Sequence, residues 1–252
     1  MTYDLGARAQ AAADRYSRLL DGLKGVITNG LVEDPTNQSV RAAAAKVATD
    51  RARSFLGAES GYIELDTEDA AAASLDRASQ DLGTVPAKET PPAIASYVAS
   101  THDYLFNMIG AQVQRDVSVV SRELQTAGLR IASYEQASSV SHRQAVAAYA
   151  MKGGLSADFK FIDRAGRAYK STKHVRDQYR LQLLNVTNET YIHEVASAGH
   201  TFVYVDAPNK DSRFYGQRLA LVPGTHDPLF SEMDAEIFHP SSDAFVTIIK
   251  PE

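Results

Sequence analysis

The sequence predicts an α+β fold in which a helical N-terminal region with a long amphipathic helix precedes a small C-terminal α+β domain. Over the first 150 residues, apolar side chains recur every three or four positions, which is the spacing of one helix face. From about residue 156 the pattern changes to short alternating runs bounded by glycine and proline. We therefore predict two regions, a helical assembly region over 1–151 and an α+β domain over 152–252.

Three helices are predicted before residue 84. The first is expected to stop at Asn29-Gly30, and the second at Gly57, because glycine commonly follows the last helical residue. The third opens with a capping-box pattern at Thr67 and ends at Gly83. These start and stop signals divide the segment into separate helices of ordinary length.

The longest apolar stripe of the chain follows a proline-rich linker at 84–93. It predicts an uninterrupted amphipathic helix over about 93–133, which would be roughly 60 Å long at 1.5 Å per residue. Such a stripe must be buried against partner helices. The helix could therefore belong to an ordinary bundle or serve as a strut in a larger assembly.

The C-terminal hundred residues predict a hairpin, a helix and a short antiparallel sheet. Asp163–Gly166 has turn composition between two alternating runs, and Ser171 or Thr172 is expected to cap a helix that stops at Gly199. Strands are then predicted in "HTFVYVDAP", "QRLALVPG" and "DAFVTIIKP", with a short helix in "PLFSEMDAEIF".

Composition excludes several classes of protein. The 252 residues carry a formal net charge of −5 and contain no cysteine, so disulfides, thiol catalysis and cysteine-bound zinc are excluded. No run of eighteen apolar residues occurs, so we expect no membrane span. The N-terminus lacks the apolar core of a secretory signal.

Positive charge is concentrated around the predicted hairpin. Residues 152–180 contain eight lysines and arginines but only three aspartates. A basic hairpin on an acidic chain could contact nucleic acid or an acidic partner, although a solvated, ion-paired face would have the same composition. The candidate contact residues are Arg164, Arg167, Lys170, Lys173, Arg176 and Arg180.

Motifs that carry catalysis or bind cofactors are not found in the sequence. There is no phosphate-binding loop, dinucleotide-binding motif, nucleophile elbow or H-E-x-x-H pattern, and the seven histidines have no metal-ligand spacing. Two weak acidic patterns could support an enzyme, namely Asp206 with Lys210 and Asp234 with Glu236. A strand-end turn and a solvated helix face explain them as well, so we assign no catalytic residue, metal or cofactor.

The order of the C-terminal elements resembles that of the MuF-type minor head proteins of tailed bacteriophages. In that family a hairpin of the type F-x-D-x-x-G-R-x-Y precedes a helix, a valine-rich strand, a G-x-x-Y/L-x-L-x-G segment and a closing F-H-P motif. The matching stretches here are "FIDRAGRAYKSTKHVRDQYRLQLLNVTNETY", "HTFVYVDAP", "FYGQRLALVPG" and "EIFHPSSDAF". The resemblance covers roughly residues 156–250, and its motif residues are Asp163, Gly166, Gly216, Phe238, His239 and Pro240.

The resemblance implies a structural virion protein of the phage head. It implies a minor component associated with the portal or the inner capsid, which aids head assembly and DNA packaging or delivery. The expected partners are the portal protein, the major capsid protein and packaged DNA through its phosphates, and the expected location is the virion head, with the host cytoplasm during assembly. We also expect an oligomeric assembly and no membrane.

The closing motif departs from that of the family. Relatives carry cysteine and histidine after the His-Pro pair, whereas this chain continues with Ser241, Ser242, Asp243 and Ala244. We therefore interpret His239 as a structural residue whose ring hydrogen-bonds a backbone group, while Pro240 stiffens the corner before the last strand.

Two other functions fit parts of the sequence. A shell-associated or adaptor protein present in many copies would also need long helices with apolar seams. A nucleic-acid-processing enzyme would need one of the acidic pairs described above. Copy number in particles separates the first alternative from a minor head protein, and substitution of the acidic residues tests the second.

Overall fold

The computed structural model describes residues 4–86, 89–151, 157–224 and 226–251, so Lys152 and two residues of the proline-rich linker lie outside the described residues. The fold is α+β as predicted, with a long helical N-terminal region and small antiparallel sheets in the C-terminal region. The helices are α1 (Leu5–Glu33), α2 (Gln38–Leu82), α3 (Pro92–Ser138), α4 (His142–Met151), α5 (Ser171–Ser197) and α6 (Phe230–Ile237). The strands are β1 (Lys160–Ile162), β2 (Ala168–Lys170), β3 (Phe202–Asp206), β4 (Arg218–Ala220) and β5 (Phe245–Thr247).

The first predicted helix stop is wrong, because α1 continues through Asn29-Gly30 to Glu33. Gly30 lies against α3, where an added Cβ atom would come within 2.9 Å of a Leu124 methyl carbon. The glycine therefore allows close packing of two helices, and it does not end one.

The predicted boundaries at Gly57 and Thr67 are also wrong, because α2 is one helix of 45 residues. Thr67 does not cap a helix; its hydroxyl donates to the carbonyl of Ile63 at 2.8 Å, one turn earlier in α2. Interior glycine costs about 1 kcal/mol relative to alanine. The burial of side chains such as Ala52 and Ile63 outweighs that cost.

The long third helix is confirmed, since α3 runs without interruption from Pro92 to Ser138. Most residues of its predicted apolar stripe are completely buried, whereas Val98 and Val117 are half-buried. The buried ones are Leu105, Ile109, Val113, Val120, Leu124 and Ile131. Burial of this stripe is the main reason that the segment is helical, because propensity alone stabilises a helix only weakly.

The C-terminal strands form two antiparallel sheets. β1 and β2 pair in a hairpin, and the second sheet has the order β4-β3-β5. Val203 lies opposite Leu219, and Val205 opposite Val246, which directs these four buried side chains to one face. They join a core that includes Tyr191 of α5.

Each edge of the three-stranded sheet contacts another part of the sheet unit. At β4, the Ala220 N–H donates to the Pro228 carbonyl at 2.9 Å. At β5, the Val246 N–H donates to Asn188 Oδ1 at 3.2 Å, and Arg77 Nη2 donates to the Val246 carbonyl at 3.0 Å. These contacts engage backbone groups of Ala220 and Val246 that a further strand would need.

The chain folds into two compact units. The sheet unit comprises Met1–Ala11, Ser60–Leu105 and Arg176–Glu252, and the hairpin unit comprises Ala12–Glu59 and Phe106–Val175. The two units group residues that pack together in space. The predicted domain boundary between residues 151 and 152 stays a prediction. Within the described residues, no helix is both long and apolar enough to cross a lipid bilayer.

Candidate interaction surface

The turn of the β1–β2 hairpin is organised by Asp163. Its Oδ1 accepts the backbone N–H groups of Ala165 and Arg167, each at 2.9 Å, and its Oδ2 accepts Arg167 Nε at 2.7 Å. These hydrogen bonds, first among them that from the Arg167 backbone, lower the pKa of Asp163. Gly166 completes the turn with a φ of 78°, a conformation that favours glycine. The two motif residues of the hairpin therefore shape its turn.

One face of the β1–β2 hairpin packs against residues of α3 and α5. Phe161 and Tyr169 lie opposite each other and are half-buried. The Phe161 ring stacks on His174 of α5 with 3.6 Å between centroids, and the Arg115 guanidinium lies 5.5 Å from the same ring. These contacts leave the opposite face of the hairpin, which carries Lys160 and Lys170, directed outwards.

A buried polar network holds the junction between β2 and α5. Asp116 on α3 accepts hydrogen bonds from Tyr16 at 2.6 Å, from the Ser171 hydroxyl at 3.1 Å and from Gln112 at 3.2 Å. Gln112 also donates to the Ser171 hydroxyl at 2.9 Å. Burial raises the pKa of Asp116 above its ordinary value. The Ser171 hydroxyl thus fixes α5 to α3, and it was not predicted to do so.

Four of the six candidate contact cations belong to the hairpin unit, and all four are exposed: Arg164, Arg167, Lys170 and Lys173. Arg167 is paired with Asp163, and Lys173 lies 5.7 Å from the centre of the Tyr169 ring. Within the described part of the chain, no ion pair is found for Arg164 or Lys170. The turn and the second strand therefore present positive charge to solvent.

The other two candidate cations belong to the sheet unit and are engaged there. Arg176 bonds the carboxylate of Asp177 through Nε at 3.2 Å and Nη2 at 3.1 Å. Arg180 is only 15% exposed; its Nη1 donates to the Pro240 carbonyl at 2.6 Å, and its Nη2 pairs with Asp243. Arg180 therefore holds the chain corner at Pro240.

The remaining motif residues shape two turns of the sheet unit. Gly216, with a φ of 71°, donates its N–H to the Val205 carbonyl at 2.8 Å. At the closing corner, Phe238 is buried and its ring lies 5.7 Å from that of Phe230. His239 Nδ1 accepts the Ser241 N–H at 3.3 Å. The histidine ring therefore bonds a backbone group of its own turn.

The two candidate enzyme patterns, Asp206 with Lys210 and Asp234 with Glu236, have different neighbours. Lys210 is 5.7 Å from the centre of the Tyr215 ring, and Glu236 forms an ion pair with Arg213. Burial raises the pKa of Glu189, and the negative charge of Asp234 raises it further. Among the described residues, no group of three histidine, aspartate or glutamate side chains is arranged to hold a metal ion.

Sequence reasoning missed the polar residues that position the hairpin. Gln112 and Asp116 are four residues apart on α3, and both flank the apolar stripe beside Val113. A carboxylate that close to an apolar stripe was a signal of a buried polar network, because buried charges need hydrogen-bond partners. Its partners, Tyr16 and Ser171, are too distant in sequence to be identified by spacing.

Comparison with known proteins gives no relative: no family model, curated protein or solved structure matches this chain.

Proposed function

We propose that this chain is a non-enzymatic structural component of a tailed-bacteriophage head, a minor protein that associates with the portal or inner capsid and aids DNA packaging or delivery. The main support is the role of the motif residues in the fold. Asp163 shapes the hairpin turn, Gly216 a second turn and His239 the closing corner. The residues that carry the resemblance thus form a scaffold, which is the role that a head component requires.

Exposed side chains of the hairpin unit supply a means of docking. Arg164 and Lys170 present positive charge, and Val32 and Leu129 are 75% and 68% exposed. Charged groups steer association, and exposed apolar side chains add contact area. The portal protein and the major capsid protein are the proposed protein partners.

Mass spectrometry of purified heads tests the proposal. Heads would be isolated at successive assembly stages from cells infected with the phage that encodes this chain. We expect a small, fixed number of copies per head. Absence of the chain from heads at every stage would refute the proposal, and hundreds of copies would favour a shell protein instead.

A charge-reversal pair tests whether the hairpin is used for incorporation. Arg164→Glu with Lys170→Glu should reduce the number of copies per head severalfold. Lys46→Glu with Arg53→Glu is the control, because it makes the same charge change on an exposed stretch of α2. Equal incorporation of the two variants would show that docking uses another surface.

A further inference from the structure

The outward face of the β1–β2 hairpin carries four exposed residues in two cross-strand pairs. Lys160 lies directly opposite Lys170, and Ile162 directly opposite Ala168. The Lys160 side chain is 46% exposed and Ile162 is 65% exposed. Because side chains alternate along a strand, all four point away from the packed face of Phe161 and Tyr169.

Two lysines in direct opposition are unfavourable for an isolated hairpin. Opposed residues on antiparallel strands have Cβ atoms about 4.5–5.5 Å apart, and like charges at that distance destabilise the pair. Asp158 pairs with Lys160, but the aspartate is 62% exposed. An exposed ion pair of this kind is weak and open to exchange. A bound anion would relieve the repulsion more completely than one solvated carboxylate.

The charge of the segment is opposite to that of the whole chain. Residues 157–175 contain five lysines and arginines against two aspartates, a net charge of +3, whereas the whole chain carries −5. Arg164 and Arg167 add two exposed cations at the turn, where the Arg167 guanidinium pairs with Asp163 and lies 5.9 Å from the centre of the Tyr169 ring. The hairpin is therefore a local cationic projection on an acidic protein.

We propose that this outward face binds the phosphates of duplex DNA, with Lys160 and Lys170 as the central pair of contacts. A face of four residues is too small for a stable protein interface, which buries roughly 800 Å² on each partner. Few cations are enough to bind a polyanion, because each phosphate contact releases condensed counterions. A two-stranded ribbon also fits the major groove of DNA.

This face is expected to bind DNA without sequence preference. Lysine contacts phosphate as a point charge, and Ile162 and Ala168 have no side-chain group that could read a base by hydrogen bonding. The inference rests on the proposed function, since a head component meets packaged duplex DNA. The inference can nevertheless be refuted while the proposed function stands, because DNA binding and incorporation into heads are measured separately.

Fluorescence anisotropy of the full chain with a labelled random-sequence duplex tests the inference. The logarithm of affinity should fall linearly with the logarithm of salt concentration. Lys160→Gln with Lys170→Gln should reduce the magnitude of that slope by about 2 and weaken binding at least about tenfold at 0.1 M salt. Circular dichroism and thermal unfolding would verify that the variant is folded.

Two further variants make the test specific. Lys46→Gln with Arg53→Gln removes the same charge from side chains that are 78% and 77% exposed, and it should leave DNA binding unchanged. Asp158→Asn removes the carboxylate that competes for Lys160, so it should tighten binding severalfold and leave incorporation into heads intact.

Three results would overturn the inference: no duplex binding at 50 mM salt, equal weakening by the hairpin and α2 variants, or competition by polyglutamate as effective as that by DNA at equal charge. The last result would identify an acidic protein surface as the ligand. Normal incorporation of the chain into heads together with any of these results would leave the proposed function standing. Duplex binding by a chain that is absent from heads would refute only the proposed function.

Discussion

At the scale of single residues, two aspartates of the hairpin unit show how surroundings decide what a carboxylate does. Asp163 is half-buried at the turn and is ionised, with its pKa lowered by hydrogen bonds from the turn backbone and from Arg167. Asp116 is fully buried, and burial raises its pKa despite the hydrogen bonds from Tyr16 and Ser171. One residue type therefore shapes a solvent-exposed turn and joins a buried network.

Asp116 should make stability depend on pH. Its pKa is raised in the folded state, so its contribution to stability is complete below the ordinary value of 3.8 and is lost as the pH rises through the folded pKa. The difference in unfolding free energy, wild type minus Asp116→Asn, should therefore decrease as the pH rises from the ordinary pKa to the folded pKa. Urea denaturation at a series of pH values measures this difference.

The control for Asp116 is Asp50, whose side chain is 45% exposed and whose pKa is lowered chiefly by its hydrogen bond from Lys46. The corresponding difference for Asp50→Asn should have the opposite sign, because the contribution of Asp50 is lost as the pH falls. A difference for Asp116→Asn that rises with pH would contradict the assigned direction of its pKa shift.

At the scale of elements, glycines on one helix have different roles. Gly128 on α3 faces the loop after α1, where an added Cβ atom would lie 3.0 Å from the carbonyl carbon of Pro35 and closer still to its oxygen. Gly110 on the same helix has no atom within 4 Å of that position. The first glycine is required by close packing, and the second is tolerated.

Alanine substitution separates these roles. Gly128→Ala should destabilise the protein by about 1–3 kcal/mol, because a backbone carbonyl cannot move aside as a flexible side chain can. Gly110→Ala should stabilise it by about 0.5–1 kcal/mol, because alanine has the higher helix propensity. Thermal unfolding of both variants gives the comparison, and equal effects would show that α3 does not pack on the Pro35 loop as described.

At the scale of the whole molecule, the C-terminal sheet depends on residues from the helical region. Ala78 of α2 belongs to the same core as Val203 and Val205 of β3. Asp81 accepts a hydrogen bond from Tyr191 at 2.5 Å. Arg77 lies between the Tyr191 and Phe245 rings, 4.4 and 4.7 Å from their centres. The C-terminal elements therefore share their core with α2.

A truncation tests this dependence. The segment 157–252 alone should show no cooperative unfolding, because it lacks the side chains of α2 that cover the sheet. Addition of a peptide spanning 60–86 should restore part of the chemical-shift dispersion in an NMR spectrum. A cooperative thermal transition of the isolated segment would instead support an independent domain that begins near residue 152.

Local sequence patterns were sufficient to predict the fold class, the long third helix, the hairpin and the order of the C-terminal elements. Periodicity and turn composition are local, so they identify α3 and the Asp163–Gly166 turn without any knowledge of distant residues. The candidate cations at Arg164 and Lys170 were likewise identified by composition, and their function stays a prediction.

Packing between distant residues determines where helices continue, which polar groups are buried and which cations are engaged. Gly30 and Gly57 resemble helix stops in sequence, yet packing against distant residues offsets the local cost of glycine. Arg180 has the same charge as Lys170, but its guanidinium is held at the Pro240 corner by a carbonyl and a carboxylate 60 or more residues away. Such contacts depend on the folded path of the chain, which no local pattern encodes.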